Sequence, residues 1–146
     1  MKPELIVGGT HADARGTLRF CNDFDMSEVK RFYTISNSKE QPKRGWILHK
    51  RETKWFFPLK GKTIVRVRPM EGDECSNVQN VPPSLKLWRT SRMFELREDE
   101  PKVLKVPGGN WFLIEQDGAA EVQVFSNCRV GEFPNDDFRK EIDSPL

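Results

Sequence analysis

Lys54-Trp55-Phe56-Phe57-Pro58-Leu59-Lys60-Gly61-Lys62-Thr63-Ile64-Val65-Arg66-Val67-Arg68 sets the texture of the whole sequence. Two runs rich in aromatic and β-branched residues flank Lys60-Gly61-Lys62, the composition of two strands joined by a hairpin turn. In the second run Val65 and Val67 fall on one side of an extended chain and Arg66 and Arg68 on the other, the period of a half-buried strand. Working outward, Arg31-Phe32-Tyr33-Thr34-Ile35 stops at the turn-prone Ser36-Asn37-Ser38-Lys39, and Trp46-Ile47-Leu48-His49 forms another apolar run. Further strands are expected at residues 84–88, 93–96, 103–106, 111–114 and 120–125, with Pro82-Pro83, Pro101 and Pro107-Gly108-Gly109 marking connections. Helical signals are confined to a turn at residues 25–30 and a short helix at residues 135–142 capped by Asn135. Residues 73–83 read as a loop. Many short strands punctuated by glycine, proline and charge predict an all-β sandwich or barrel, with residues 1–146 as one domain.

The 146 residues carry 24 Lys and Arg against 22 Asp and Glu, a net charge of +2. A protein that holds nucleic acid by its phosphates needs a strong basic excess, so this balance argues against that class. Charged residues make up 32% of the chain, which requires both signs on the surface. Cys21, Cys75 and Cys128 are widely separated without a CxxC pair, and two histidines in all cannot complete a zinc knuckle. The odd, sparse cysteine count fits a reducing compartment. The apolar run Leu5-Ile6-Val7 is too short for a signal-peptide core, and no stretch approaches the roughly 20 apolar residues of a membrane helix. The expectation is a soluble, cytoplasmic protein without a membrane partner.

Two segments carry more information. Asp13-Ala14-Arg15-Gly16-Thr17-Leu18 and Arg44-Gly45-Trp46-Ile47-Leu48-His49-Lys50 each set an arginine before a glycine, which lets the backbone turn sharply at a strand edge. Paired guanidinium groups match the oxygens of a diphosphate, although an Arg-Gly dipeptide also serves as an ordinary solvated turn. By itself His49, after an apolar run, reads as a satisfied barrel-lining residue. Aromatic residues such as Trp46, Trp55, Phe56, Trp88 and Trp111 supply core area, and one at a barrel mouth would stack on a nucleobase. His11 is expected in a solvent-exposed loop.

These motifs resemble the RmlC-like nucleotide-sugar cupins. The similarity runs through Asp13-x-Arg15-Gly16-x-Leu18, Val29-Lys30-Arg31-Phe32-Tyr33-x-Ile35, Arg44-Gly45-x-x-x-His49-Lys50 and Gly61-x-x-x-Val65-x-Val67. It continues through Val106-Pro107-x-x-x-Trp111, Ser126 and Asp137-Phe138-Arg139. Its span is roughly residues 10–143, and the dTDP-sugar 3,4-ketoisomerases are closer than the dTDP-4-dehydrorhamnose 3,5-epimerases. The resemblance implies a small jelly roll or β-barrel, a homodimer exchanging N-terminal strands, and enolisation of a 4-keto sugar on a nucleoside diphosphate.

By the same resemblance His49 is the base, Lys54 the cation facing the enolate and Tyr33 the hydroxyl partner. Arg15, Arg44, Arg66 and Trp111 form the substrate-binding set. Ile47, Thr53 or Lys54, and Phe112 stand where metal-binding cupins carry three of their four ligands, so a metal and a cofactor are not expected. Ile47 also stands at the base position of the epimerases. Three readings follow: a nucleotide-sugar isomerase or epimerase acting without metal, a lapsed cupin that binds a sugar or nucleotide sugar without turnover, and an accessory subunit. A second acid or a tyrosine beside His49 would favour the enzyme.

Overall fold

The computed structural model describes residues 1–72, 74 and 81–142. In chain order the elements are β1 (Glu4–Val7), β2 (Gly9–Asp13), β3 (Gly16–Phe20), β4 (Arg31–Ile35), β5 (Lys43–His49), β6 (Lys54–Lys60) and β7 (Lys62–Pro69). They continue with α1 (Ser84–Thr90), β8 (Arg92–Arg97), β9 (Lys102–Val106), β10 (Asn110–Gln116), β11 (Glu121–Ser126) and β12 (Phe138–Arg139). One antiparallel sheet has the order β1-β9-β6-β11-β4, a second has the order β12-β5-β10-β7-β8, and β2 pairs only with β3. The two five-stranded sheets face each other as a jelly roll, the expected all-β class.

Between the sheets lies a core of Ile47, Phe56, Val65, Val67, Leu104, Phe112, Val122 and Val124. A second cluster, Trp46, Leu48, Leu87, Trp88, Trp111 and Leu113, lies on the outer face of the β5-β10 sheet, covered by α1, Phe138 and Ile142. Burial on both faces explains why β5 and β10 are runs of consecutive apolar residues, whereas β7, with Arg66 half exposed, alternates.

Four expectations change. Lys60-Gly61-Lys62 is not a hairpin between paired strands: β6 and β7 belong to different sheets, so this turn, with Gly61 at φ 64°, carries the chain across the core. Residues 84–88 are helical rather than extended. Leu85 and Leu87 suggest a period of two, but Ser84, Leu87 and Trp88 are the buried residues, a helical i, i+3, i+4 stripe. The C-terminal helix is absent: Asn135 has φ 58°, Phe138 and Arg139 pair with Leu48 and Ile47, and Lys140 exchanges backbone hydrogen bonds with Trp46. The 73–83 loop and Cys75 lie largely outside the described residues. The short N-terminal strands β1 to β3 are additional to the expected set.

Candidate active site

Strand register assembles the site. On the inner face of the first sheet Arg31, Ser126 and Lys54 are direct neighbours across β4, β11 and β6. One row on, Tyr33, Val124 and Phe56 are aligned in the same way. On the facing sheet Ile47 and His49 point inward from β5 by the strand period, and Phe112 lies beside Ile47. Residues 50–53 then cross from β5 to β6, bringing Glu52 against the row of Arg31, Ser126 and Lys54.

Two adjoining cavities result. One, of about 350 Å³, is lined by Tyr33, Arg44, Ile47, Lys54, Phe112 and Arg139 among others. The second, of about 260 Å³, includes His49, Glu52, Cys128 and Asp136 and shares Ile47, Lys54 and Arg139 with the first. A larger hollow of about 400 Å³ on the outer face is lined by Glu4, Asp23, Asp25 and Glu28, whose carboxylates would repel a diphosphate.

Within the cavities Lys54 Nζ donates to the Tyr33 hydroxyl oxygen at 2.9 Å and lies 3.7 Å from Glu52 Oε2. The Ser126 hydroxyl donates to Glu52 Oε2 at 2.7 Å, and Arg31 Nη2 approaches the same oxygen at 3.5 Å. Glu52 is 8% exposed, so these partners satisfy a carboxylate that would otherwise be costly to bury. His49 is 9% exposed, and its Nδ1 lies 3.0 Å from the Asp136 carbonyl oxygen. A carbonyl only accepts, so Nδ1 carries the hydrogen and the neutral ring keeps its lone pair on Nε2.

Burial first, and then the nearby Lys54 ammonium, hold His49 below the usual imidazole range, against the opposing pull of Glu52. The unfolded chain therefore binds a proton near pH 6.5 that the folded chain takes up only at lower pH. This contribution to stability is present above pH 6.5 and is lost as pH falls toward the lowered folded pKa. In His49→Gln the melting temperature should decline less between about pH 7 and 5 than in the unmodified chain, as read by thermal melts across that range. Equal slopes would contradict the assignment.

His49, Lys54, Tyr33 and Arg44 are thus brought together around the cavities. Three expected binding residues are not. Trp111 is 0% exposed on the outer face of β10, in the cluster with Trp46 and Leu48, because its odd position in the strand directs it away from the interior. Arg66 also faces outward, donating to Glu115 at 3.1 Å and stacking on Trp88. Arg15 stands at the tip of the β2–β3 hairpin with its side chain 88% exposed, bonded to Asp13, and lines neither cavity of its own chain.

Glu52, Arg31, Arg139 and Asp136 were not singled out as site residues from sequence. Glu52 lies in the turn between β5 and β6, outside any strand, so no periodicity marked it.

No protein-family model matches the sequence, and no curated protein matches it. Solved structures do. A 3,4-ketoisomerase from Helicobacter canadensis superposes with a TM-score of 0.68 at 16% identity, covering 96% of this chain and 92% of that one. The sugar 3,4-ketoisomerase QdtA from Thermoanaerobacterium thermosaccharolyticum, in complex with TDP, gives 0.66 at 18%, covering 94% and 88%. The fold is that of an RmlC-like cupin. The RmlC epimerase of Mycobacterium tuberculosis agrees, with a TM-score of 0.69 at 14% identity over 94% of this chain and 68% of that one. Ile47 and Phe112 belong to the inter-sheet core, and His49, Glu52 and Lys54 gather where β5 passes into β6.

Proposed function

We propose that the chain is a nucleotide-sugar isomerase or epimerase acting on a dTDP-4-keto-6-deoxyhexose-like substrate by metal-independent enolisation. The observation that carries this reading is the convergence of His49, Glu52, Lys54 and Tyr33 on two adjoining cavities that share Lys54. His49 Nε2 removes the proton from a carbon beside the ketone, the C–H electron pair forms the carbon–carbon double bond, and the carbonyl oxygen takes the negative charge. Lys54 and the Tyr33 hydroxyl hydrogen face that oxygen. Because the Tyr33 oxygen already accepts from Lys54, its own hydrogen is free for the substrate. Reprotonation on the other face gives the epimer, and reprotonation at the former carbonyl carbon, with loss of the proton from the neighbouring carbon's hydroxyl, moves the ketone.

Arg44 and Arg139 hold the diphosphate at the cavity mouth, each offering the planar fork that suits phosphate oxygens. Arg15 joins them from a second copy in a homodimer, a reading supported by its exposed hairpin and by the exposed Leu18 beside it. The QdtA structure in complex with TDP supports a thymidine diphosphate moiety as the recognised group.

Incubation with a dTDP-4-keto-6-deoxyhexose in deuterated water should wash deuterium into a carbon beside the ketone, read by mass spectrometry and NMR. Bound substrate without deuterium uptake would sink the enzymatic reading. It would favour the second reading, a cupin that binds a nucleotide sugar without turnover, which the apolar Ile47 and Phe112 in the interior support. No ligand-induced rise in melting temperature would favour the accessory role instead.

A further inference from the structure

Asp136 acts on the site through two different groups. Its carboxylate accepts hydrogen bonds from three consecutive backbone N–H groups, those of Lys50 at 2.8 Å, Arg51 at 2.9 Å and Glu52 at 2.9 Å. Its carbonyl oxygen lies 3.0 Å from His49 Nδ1. The four contacts fall on residues 49–52, which include both acid–base side chains of the smaller cavity. The pairing of β5 with β10 ends at His49 opposite Asn110, so strand pairing holds nothing beyond that residue.

The segment that delivers Asp136 is itself docked there. Thr53 N–H donates to Asn127 Oδ1 at 2.9 Å, Arg51 Nη2 donates to the Pro134 carbonyl at 2.9 Å, and Asn135 turns the chain with φ 58°. Three convergent amides are what a buried carboxylate needs in place of water, and Asp136 is only 6% exposed.

We propose that Asp136 is a positioning residue that fixes the tautomer of His49 and the aim of Glu52, so that the acid–base pair is set by the segment after β11 as well as by β5. Its catalytic meaning rests on the enzymatic reading above, whereas the positioning does not. The charged groups facing His49 are Lys54 on β6, Glu52 in the turn, and Asp137 and Arg139 in the C-terminal segment, with the Phe112 ring 6.0 Å away on β10.

The chain has two histidines, and His11 is exposed, so imidazole nitrogen NMR can follow His49 by itself. The unmodified chain should show a single Nδ1–H tautomer of His49 above neutral pH, with slow exchange of the Arg51 and Glu52 amides. Asp136→Asn sets an NH₂ against donors that need an acceptor. In this variant the ring should populate both tautomers, and the two amides should exchange about tenfold faster or more.

An unchanged tautomer and unchanged amide exchange in a variant that merely melts earlier would overturn the proposal and leave Asp136 a plain loop anchor. Should Asp136→Asn not fold, the unmodified chain decides: an Nδ1–H ring with slowly exchanging Arg51 and Glu52 amides supports the proposal, and an Nε2–H ring overturns it. None of these readings needs turnover, so a failed isomerase assay and a failed positioning role remain distinguishable.

Discussion

His49→Ala is expected to lower turnover of a dTDP-4-keto-6-deoxyhexose by about 10²–10⁴, the contribution of a positioned general base. The affinity for dTDP should stay within about twofold, the pattern of a group that acts only in the transition state. The reason is geometric. His49 ends β5 with Nδ1 committed to the Asp136 carbonyl, so Nε2 is its remaining functional atom, while Arg44 and Arg139, proposed to hold the diphosphate, line the adjoining cavity. Lys54→Met, which removes the cation beside Tyr33, should also cost about 10²–10³ in turnover, the scale of one lost oxyanion-stabilising group. The two substitutions should differ in pH behaviour, since only the first removes the lowered imidazole titration from the acid limb of the profile. Steady-state kinetics with dTDP titrations separates these effects, and full turnover in His49→Ala would remove His49 from the mechanism.

Arg68→Met should be strongly destabilising, costing about 3–5 kcal/mol, as expected when one partner of a buried pair is deleted. On a chain of this size that lowers the melting temperature by roughly 10 °C. Arg68 is 2% exposed on β7. Its guanidinium donates to Glu74 and, at 3.2 Å, to Thr90 Oγ1 of α1, and its Nη2 lies 3.2 Å from Glu71 Oε2 as a contact of charge rather than an aligned bond. Burial alone would raise the Glu74 carboxyl, yet the Arg68 bond and the Glu71 amide at 2.7 Å hold it below the usual carboxylate range. Without Arg68 that carboxylate stays buried and loses its charged hydrogen-bond partner. The double variant Arg68→Met/Glu74→Gln should therefore recover part of the loss, giving a clear coupling term in a double-mutant cycle. Additive losses would show that the pair does not act as a unit.

Much of the site was legible before the fold was known, and its limits are physical. Tyr33, Lys54, His49 and Arg44 stand in or beside the motifs that carry the family resemblance, and the structure sets them around the two cavities. Trp111 was misjudged because β10 is apolar on both faces: in Trp111-Phe112-Leu113-Ile114 nothing local distinguishes the interior from the covered exterior. Arg66 failed for the reverse reason, its alternation being correct but its outward face lying away from the cavity. Glu52 lies in a connection without periodicity, and its partners Arg31 and Ser126 are 21 and 74 residues away.

The sequence by itself determined the class of fold, most strand positions and the inward face of β7, because alternation and β-propensity are properties of neighbouring residues. Tertiary structure decided the rest. It made 84–90 a helix by laying Leu87 and Trp88 on an already apolar sheet face, and it unwound the expected C-terminal helix to form β12 along β5. It also aligned Arg31, Ser126 and Lys54 under Glu52 and brought Asp136 to the turn after His49. Each of these rests on hydrogen bonds or contacts between residues distant in sequence, and no local preference encodes their partners.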